Sequence, residues 1–292
     1  MRALAATVLR RWKRFELFPV LNREFFTLLM HGQLVMGAPG AGKSTYCNGM
    51  SQLLDELGRP YVLVNLDPAN EFQPYRSDID IRELIRVDEV MSRLHLGPNG
   101  ALLYCMRTLE QNIEWLFRRL QKYDGYLLVD LPGQLELYNG DDCIKNIIRK
   151  LDMKGHRLTA VHLSDCLYCS DPGKYIAVTL SALSIMVNLE CPQINLLSKF
   201  DLALPDLPFD IDFFLNIPDI KQLLQLLQDN ELLMPYKGLN DSICSVISDF
   251  DLVKFTGVDV TSKKRMMEVL KLADTANGYA LLEADLRNII VS

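Results

Sequence analysis

Eight consecutive residues constrain this chain more than any other stretch. Gly37-Ala38-Pro39-Gly40-Ala41-Gly42-Lys43-Ser44 fits the pattern G-x-x-x-x-G-K-[ST]. The pattern carries weight only between a strand and a helix, and both flanks are present. Gln33–Met36 reads as a buried strand, and Lys43–Leu57 reads as a helix stopped at Gly58. Glycines let the backbone bend so that its N–H groups face phosphate oxygens, and the helix N-terminus adds partial positive charge. Lys43 has the reach for β- and γ-phosphates, and the Ser44 hydroxyl is a magnesium ligand by type. The expected phosphate-binding set is Gly37, Gly40, Ala41, Gly42, Lys43, Ser44 and Thr45.

A loop of this kind belongs to one architecture, and the rest of the chain agrees with it. Apolar runs alternate with helical patterns, which argues for βαβ units. Predicted strands are Gln33–Met36, Tyr61–Leu66, Ala101–Cys105, Tyr126–Asp130, Leu158–Leu163, Gln193–Leu197 and Leu252–Val258. Several are continuous apolar runs, as expected of strands covered on both faces. Predicted helices are Lys43–Leu57, Leu109–Gln121, Tyr175–Leu189, Ile220–Leu227 and Met266–Ala273, with a further helical pattern over Ile81–Leu94. Leu202–Pro218, rich in Pro, Asp and Phe, reads as an irregular surface insertion. The fold class is therefore α/β, a P-loop NTPase with a mostly parallel central sheet flanked by helices and with helical insertions. One domain over residues 32–292 follows a basic extension at 1–31.

Bulk properties narrow the setting. A formal net charge of −6 gives the whole surface no preference for nucleic acid. No apolar run reaches the roughly 20 residues that span a bilayer. Seven cysteines, odd in number and scattered mostly through apolar segments, read as reduced thiols. Cys166 and Cys169 form a lone CxxC without the further ligands a zinc site needs. Four histidines have no metal-binding spacing, and His162, inside an apolar strand, reads as a core group. Met1–Arg14 carries Arg2, Arg10, Arg11, Lys13 and Arg14 and no acid. It reads as a solvated extension or an alternative start, with a mitochondrial transit segment as the competing reading.

Two carboxylates end predicted strands, where open α/β sheets bind ligands. Tyr126-Leu127-Leu128-Val129-Asp130 leads into Leu131-Pro132-Gly133-Gln134, the pattern of a magnesium-holding acid followed by a switch loop. Gln134 and Glu136 are candidates for orienting the attacking water. Asp67, fixed before Pro68, is a second candidate for the metal or water shell. Base choice rests on Ser198-Lys199-Phe200-Asp201 after the strand Gln193–Leu197. Asp201 would accept from N1–H and the 2-amino group of guanine, and the Lys199 stem would lie over the purine. Ser198 stands where an Asn or Thr is usual, so the amide fork is lost and a hydroxyl remains. Gly97-Pro98-Asn99-Gly100 is, on its residues alone, a turn.

Taken together, these motifs resemble the GPN-loop GTPases, a dimeric branch of the P-loop GTPases. The shared stretches are the phosphate loop, Asn65-Leu66-Asp67-Pro68-Ala69-Asn70, Gly97-Pro98-Asn99-Gly100, Asp130-Leu131-Pro132-Gly133-Gln134 and Ser198-Lys199-Phe200-Asp201. Leu158-Thr159-Ala160-Val161-His162-Leu163, Ala276-Asn277-Gly278-Tyr279 and Ser198 look most like the second eukaryotic paralogue. The resemblance implies GTP and Mg²⁺ as ligands, and GTP hydrolysis as the reaction. It implies a homodimer or a heterodimer with a paralogue, in which Gly97, Pro98 and Asn99 reach the partner's phosphate region. It gives catalytic places to Lys43, Asp67, Asn99, Gln134 and Glu136, and metal-holding places to Ser44, Asp67 and Asp130. It further implies a part in assembly and nuclear delivery of RNA polymerase II, and so a cytoplasmic protein that shuttles to the nucleus. Two rival readings keep the phosphate loop: a GTP-dependent binding module without turnover, and an ATPase or small-molecule kinase. Met1–His31 has no counterpart in the family pattern.

Overall fold

The computed structural model describes residues 29–199, 214–215, 220, 223–224, 234–250 and 253–280. Seven strands form one parallel sheet: β1 His31–Gly37, β2 Tyr61–Asn65, β3 Ile79–Asp80, β4 Tyr126–Asp130, β5 Arg157–Asp165, β6 Gln193–Ser198 and β7 Phe255–Gly257. Their order is β3-β2-β4-β1-β5-β6-β7. The helices are α1 Lys43–Glu56, α2 Val87–Leu94, α3 Pro98–Gln111, α4 Ile113–Leu120, α5 Glu136–Asn139, α6 Cys143–Met153, α7 Pro172–Leu189, α8 Lys237–Phe250 and α9 Lys263–Asn277.

Strand side chains alternate between two cores, as the period of two requires. Leu34, Met36, Val62, Val64, Leu127 and Val129 face a core closed by α3, α4, α6 and α7. Val35, Leu63, Leu128, Val161 and Leu163 face the opposite core, closed by α1 and α9. Covering on both faces explains the continuous apolar run Tyr126–Val129 of β4 and the burial of nearly all of β1 and β5. A third core joins α7, α8 and β7 and takes in Phe214, Ile220, Leu223 and Leu224.

The parallel register brings the carboxyl ends of the strands to one edge. Val35 and Asn65 are both level with Asp130, and Asp165 is level with Ser198. That edge carries nearly every polar residue the sequence marked. At the opposite edge Met30 is buried, and its carbonyl accepts from the Arg157 N–H at 2.8 Å.

The structure changes several sequence expectations. Ala101–Cys105 is the middle of α3, not a strand. Its buried residues are Ala101, Leu102, Cys105, Met106 and Leu109, a helical period that a short apolar run conceals. The turn expected at Gly97–Gly100 is only begun there. His95 already takes the left-handed helix-ending conformation (φ 53), and Pro98 is the first residue of α3. Proline suits that position because its missing N–H would have no helical partner. The helix expected over Leu109–Gln121 is broken at Asn112 into α3 and α4. The last strand is shorter than Leu252–Val258, and Leu252 lies outside the described residues. Helices α5, α6 and α8 and strand β3 went unread. Met30 and His31, expected in an extension at 1–31, belong instead to the folded domain: Met30 is buried and His31 opens β1. Of the insertion at Leu202–Pro218, Phe214 and Leu215 are described; Phe214 is buried, with its ring 5.0 Å from Tyr175 and its carbonyl accepting from the Tyr175 hydroxyl at 2.6 Å.

Candidate nucleotide-binding site

The loop from Gly37 to Ser44 joins β1 to α1 at the carboxyl edge of the sheet. Gly37 has φ +142, and a Cβ there would fall 2.2 Å from the Leu163 carbonyl oxygen, so only glycine fits. Gly42, at φ 89, caps α1 without a side-chain hydrogen bond. The first amides of α1 therefore keep their donors for a ligand, as an anion site at a helix start requires. Lys43 is buried and folds back so that Nζ donates to the Ala38 carbonyl at 3.2 Å. Thr45 is exposed on the first turn of α1.

Strand β4 delivers Asp130 directly beside this loop. Its backbone is fixed on both sides: the Leu66 N–H donates to the Asp130 carbonyl at 2.8 Å, and the Leu131 N–H donates to the Val35 carbonyl at 3.0 Å. The Ser44 hydroxyl donates to Asp130 Oδ2 at 2.7 Å. Asp130 is 1% exposed, and its other oxygen, Oδ1, is buried with no partner in the protein. Burial raises the pKa of the Asp130 carboxyl, against hydrogen bonds from Tyr75 and Ser44 and the charge of Lys43. Burial likewise lowers that of Lys43, while Asp130 and Asp67 pull it back up. Asp67 is raised by burial too, opposed by the Ala69 N–H and Lys43. A buried acid, Asp130, and a half-buried one, Asp67, flank one buried base, Lys43, so the charges of this cluster are only partly matched. A polyphosphate with a divalent cation would complete them.

Beyond Asp130 the chain turns back over the phosphate loop. The Tyr138 hydroxyl donates to the Pro132 carbonyl at 2.6 Å and anchors the turn. A Cβ on Gly133 would lie 2.7 Å from Lys43 Nζ and 3.1 Å from the Pro39 nitrogen. Gln134 follows, and its Oε1 is buried without a protein partner. Glu136 is exposed at the start of α5. Asp67, just past β2, accepts from the Ala69 N–H at 3.0 Å, and the Asn65 amide donates to the Asp67 carbonyl at 3.1 Å.

A family model described as a conserved hypothetical ATP binding protein matches residues 35–279. Over 264 residues the chain is 45% identical to GPN-loop GTPase 2 of Danio rerio, covering 89% of this chain and 85% of that protein. This chain belongs to the GPN-loop GTPase family. It is also 44% identical over 262 residues to the GPN-loop GTPase QQT1 of Arabidopsis thaliana, with 88% of each chain covered. Among solved structures it is similar to an apo-form GTPase from Pyrococcus abyssi. The TM-score is 0.69 at 26% identity, over 85% of this chain and 97% of that one.

In this GPN-loop GTPase chain the family's namesake residues stand apart from the phosphate loop. Gly97, Pro98 and Asn99 are exposed at the start of α3, and no hydrogen bond among the described residues joins them to Gly37–Ser44. The base-reading motif is divided. Ser198 is buried at the end of β6, and its hydroxyl donates to the Ser164 carbonyl at 3.1 Å. Lys199 takes the left-handed conformation (φ 58), and its Nζ pairs with Asp165 at 2.6 Å. Asp201 lies outside the described residues.

Two residues at the site had no role in the sequence reading. The Asn70 amide donates to Ser44 Oγ at 3.0 Å and to Asp130 Oδ2 at 3.4 Å. The Tyr75 hydroxyl donates to Asp130 Oδ2 at 2.7 Å. Asn70 sits at the end of a quoted family motif, which was the one available signal. Nothing in the spacing marks Tyr75.

Proposed function

We propose that this chain binds GTP at the β1–α1 loop and hydrolyses it, working as a dimeric switch. The observation that carries this reading is the 2.7 Å hydrogen bond from Ser44 to Asp130, which joins the phosphate loop to the metal-holding acid. A divalent cation fits the donor set. Asp130 Oδ1 is a buried oxygen without a protein partner, on the carboxylate that Ser44 already touches. Ser44, Asp130 and Asp67 are the residues that would hold Mg²⁺. When bound, the ion supplies positive charge against the β- and γ-phosphates.

The protein's own groups do the rest. Lys43 and the loop amides stabilise charge that develops on the phosphates as the bond breaks. Gln134 Oε1 accepts a hydrogen bond from the attacking water, and Glu136 and Asp67 complete its placement. Gly133, tight against Lys43 and Pro39, carries the γ-phosphate's presence into the segment that leads to α5. The exposed segment Gly97–Asn99 completes the site of a second subunit, either a copy of this chain or a paralogue. Ser198, Lys199 and Asp201 read guanine. The relatives named above are GTPases by name, while the matching family description names ATP. A role in RNA polymerase II assembly, in a cytoplasmic protein that enters the nucleus, is the cellular part of this proposal.

The test is turnover and competition. The parent protein should release phosphate from GTP, with Lys43→Ala and Gln134→Leu slowed about a hundredfold or more. Bound GDP should be displaced by GTP and not by equal ATP. Parent-like turnover in both variants would sink the mechanism, and equal displacement by ATP would sink the guanine assignment.

A further inference from the structure

The acid on β4 is held by more than the phosphate loop. Asp130 Oδ2 accepts from three donors: Ser44 Oγ at 2.7 Å, Tyr75 Oη at 2.7 Å and Asn70 Nδ2 at 3.4 Å. Asp130 Oδ1 accepts from none and is buried. The Asn70 amide also donates to Ser44 Oγ at 3.0 Å, so one amide spans both metal-holding residues. Asn70 and Tyr75 come from a single segment between β2 and β3, 26 residues or more from Ser44 and 55 or more from Asp130.

The arrangement sorts the lone pairs. A hydroxyl has one proton and two acceptor sites. Ser44 gives its proton to Asp130 and accepts from Asn70, which leaves one lone pair. Asp130 spends Oδ2 on protein donors, which leaves Oδ1. The free positions on the two residues are those a cation would use. Removing a group that orients a ligand from behind in this way typically costs about 10–100-fold in metal affinity or activity.

We propose that Asn70 and Tyr75 are positioning residues for the magnesium site: Tyr75 fixes the rotation of the Asp130 carboxylate, and Asn70 ties it to the Ser44 hydroxyl. The segment between β2 and β3 is thereby a structural part of the metal site. This rests on the reading of Ser44 and Asp130 as magnesium ligands. The same segment carries Phe72, which is 91% exposed, so its outer side is available to report metal-coupled change.

The test uses the full chain and a fluorescent non-hydrolysable GTP analogue, titrated with MgCl₂ after EDTA treatment. Tyr75→Phe keeps the ring and removes only the hydroxyl; Asn70→Ala is the second variant. Each should raise the magnesium concentration at half-maximal analogue retention by about tenfold or more, with metal-free affinity within about twofold of the parent. That split separates positioning from general damage, which lowers affinity with and without metal alike. Unchanged magnesium midpoints in both variants would overturn the positioning role while leaving the nucleotide reading intact. A parent protein indifferent to magnesium would instead bring down the metal reading of Ser44 and Asp130, and this proposal with it.

Discussion

Ser44 and Asp130 are 86 positions apart in sequence, and their side chains meet at 2.7 Å. One lies in the first turn of α1 and the other closes β4; pairing of β4 with β1 brings them together. Ser44→Ala removes a donor to a buried carboxylate, which costs about 2 kcal/mol for a bond to a charged group. Chemical denaturation without nucleotide should register that loss, and GTP turnover should fall about a hundredfold. A variant as stable and as active as the parent would refute the pairing.

Gly133→Ala tests the closeness of the switch turn to the phosphate loop. Its Cβ would meet Lys43 Nζ, which can move, and the Pro39 backbone, which can move less. Phosphate release should drop about tenfold or more, because a displacement near 1 Å at a reacting centre is expensive. Nucleotide affinity measured by calorimetry should change less than turnover does. Parent-like turnover would mean that this turn has slack.

Arg59 should be a stability residue and not a catalytic one. It sits on the edge of the sheet away from the phosphate loop, 4.0 Å from the Tyr126 ring centroid and 3.6 Å from that of Tyr279. Its guanidinium makes a two-bond pair with Asp274 at 2.7 and 3.2 Å, fastening α9 to the start of β2. Arg59→Ala strands a largely buried carboxylate and removes both ring contacts, so stability should fall by about 3 kcal/mol. Urea unfolding measures this. A loss under about 0.5 kcal/mol would place the clasp among weak surface pairs.

His162 predicts a pH dependence. It lies in the centre of β5, where burial lowers its pKa from 6.5 to about 4. The unfolded chain therefore binds the proton first, and stability falls as pH drops from about 6.5 toward 4. Between pH 7 and pH 5 this group should remove about 2 kcal/mol. His162→Gln should flatten that part of the profile. A variant whose stability falls as steeply as the parent's would exclude His162 as the source.

Much of the site was legible because its chemistry is local. The phosphate loop needs its glycines, lysine and serine within eight positions, and β4 ends in its acid after four buried residues. The errors fell where local pattern is ambiguous. Ala101–Cys105 is an apolar run short enough to serve either period, and Pro98 and the buried positions to Leu109 decided for a helix. Asn112 broke a continuous amphipathic pattern that gave no warning.

The sequence by itself determined the phosphate loop, the doubly covered parallel strands and the acids at their carboxyl ends, because covalent neighbours set backbone freedom and the period of burial. Tertiary structure alone decided which of those groups touch. Tyr75 and Asn70 reach Asp130, and Arg59 reaches Asp274, across 55, 60 and 215 positions. Hydrogen bonds of that kind depend on strand order and helix placement, which the packing of two separate cores fixes and no short spacing records.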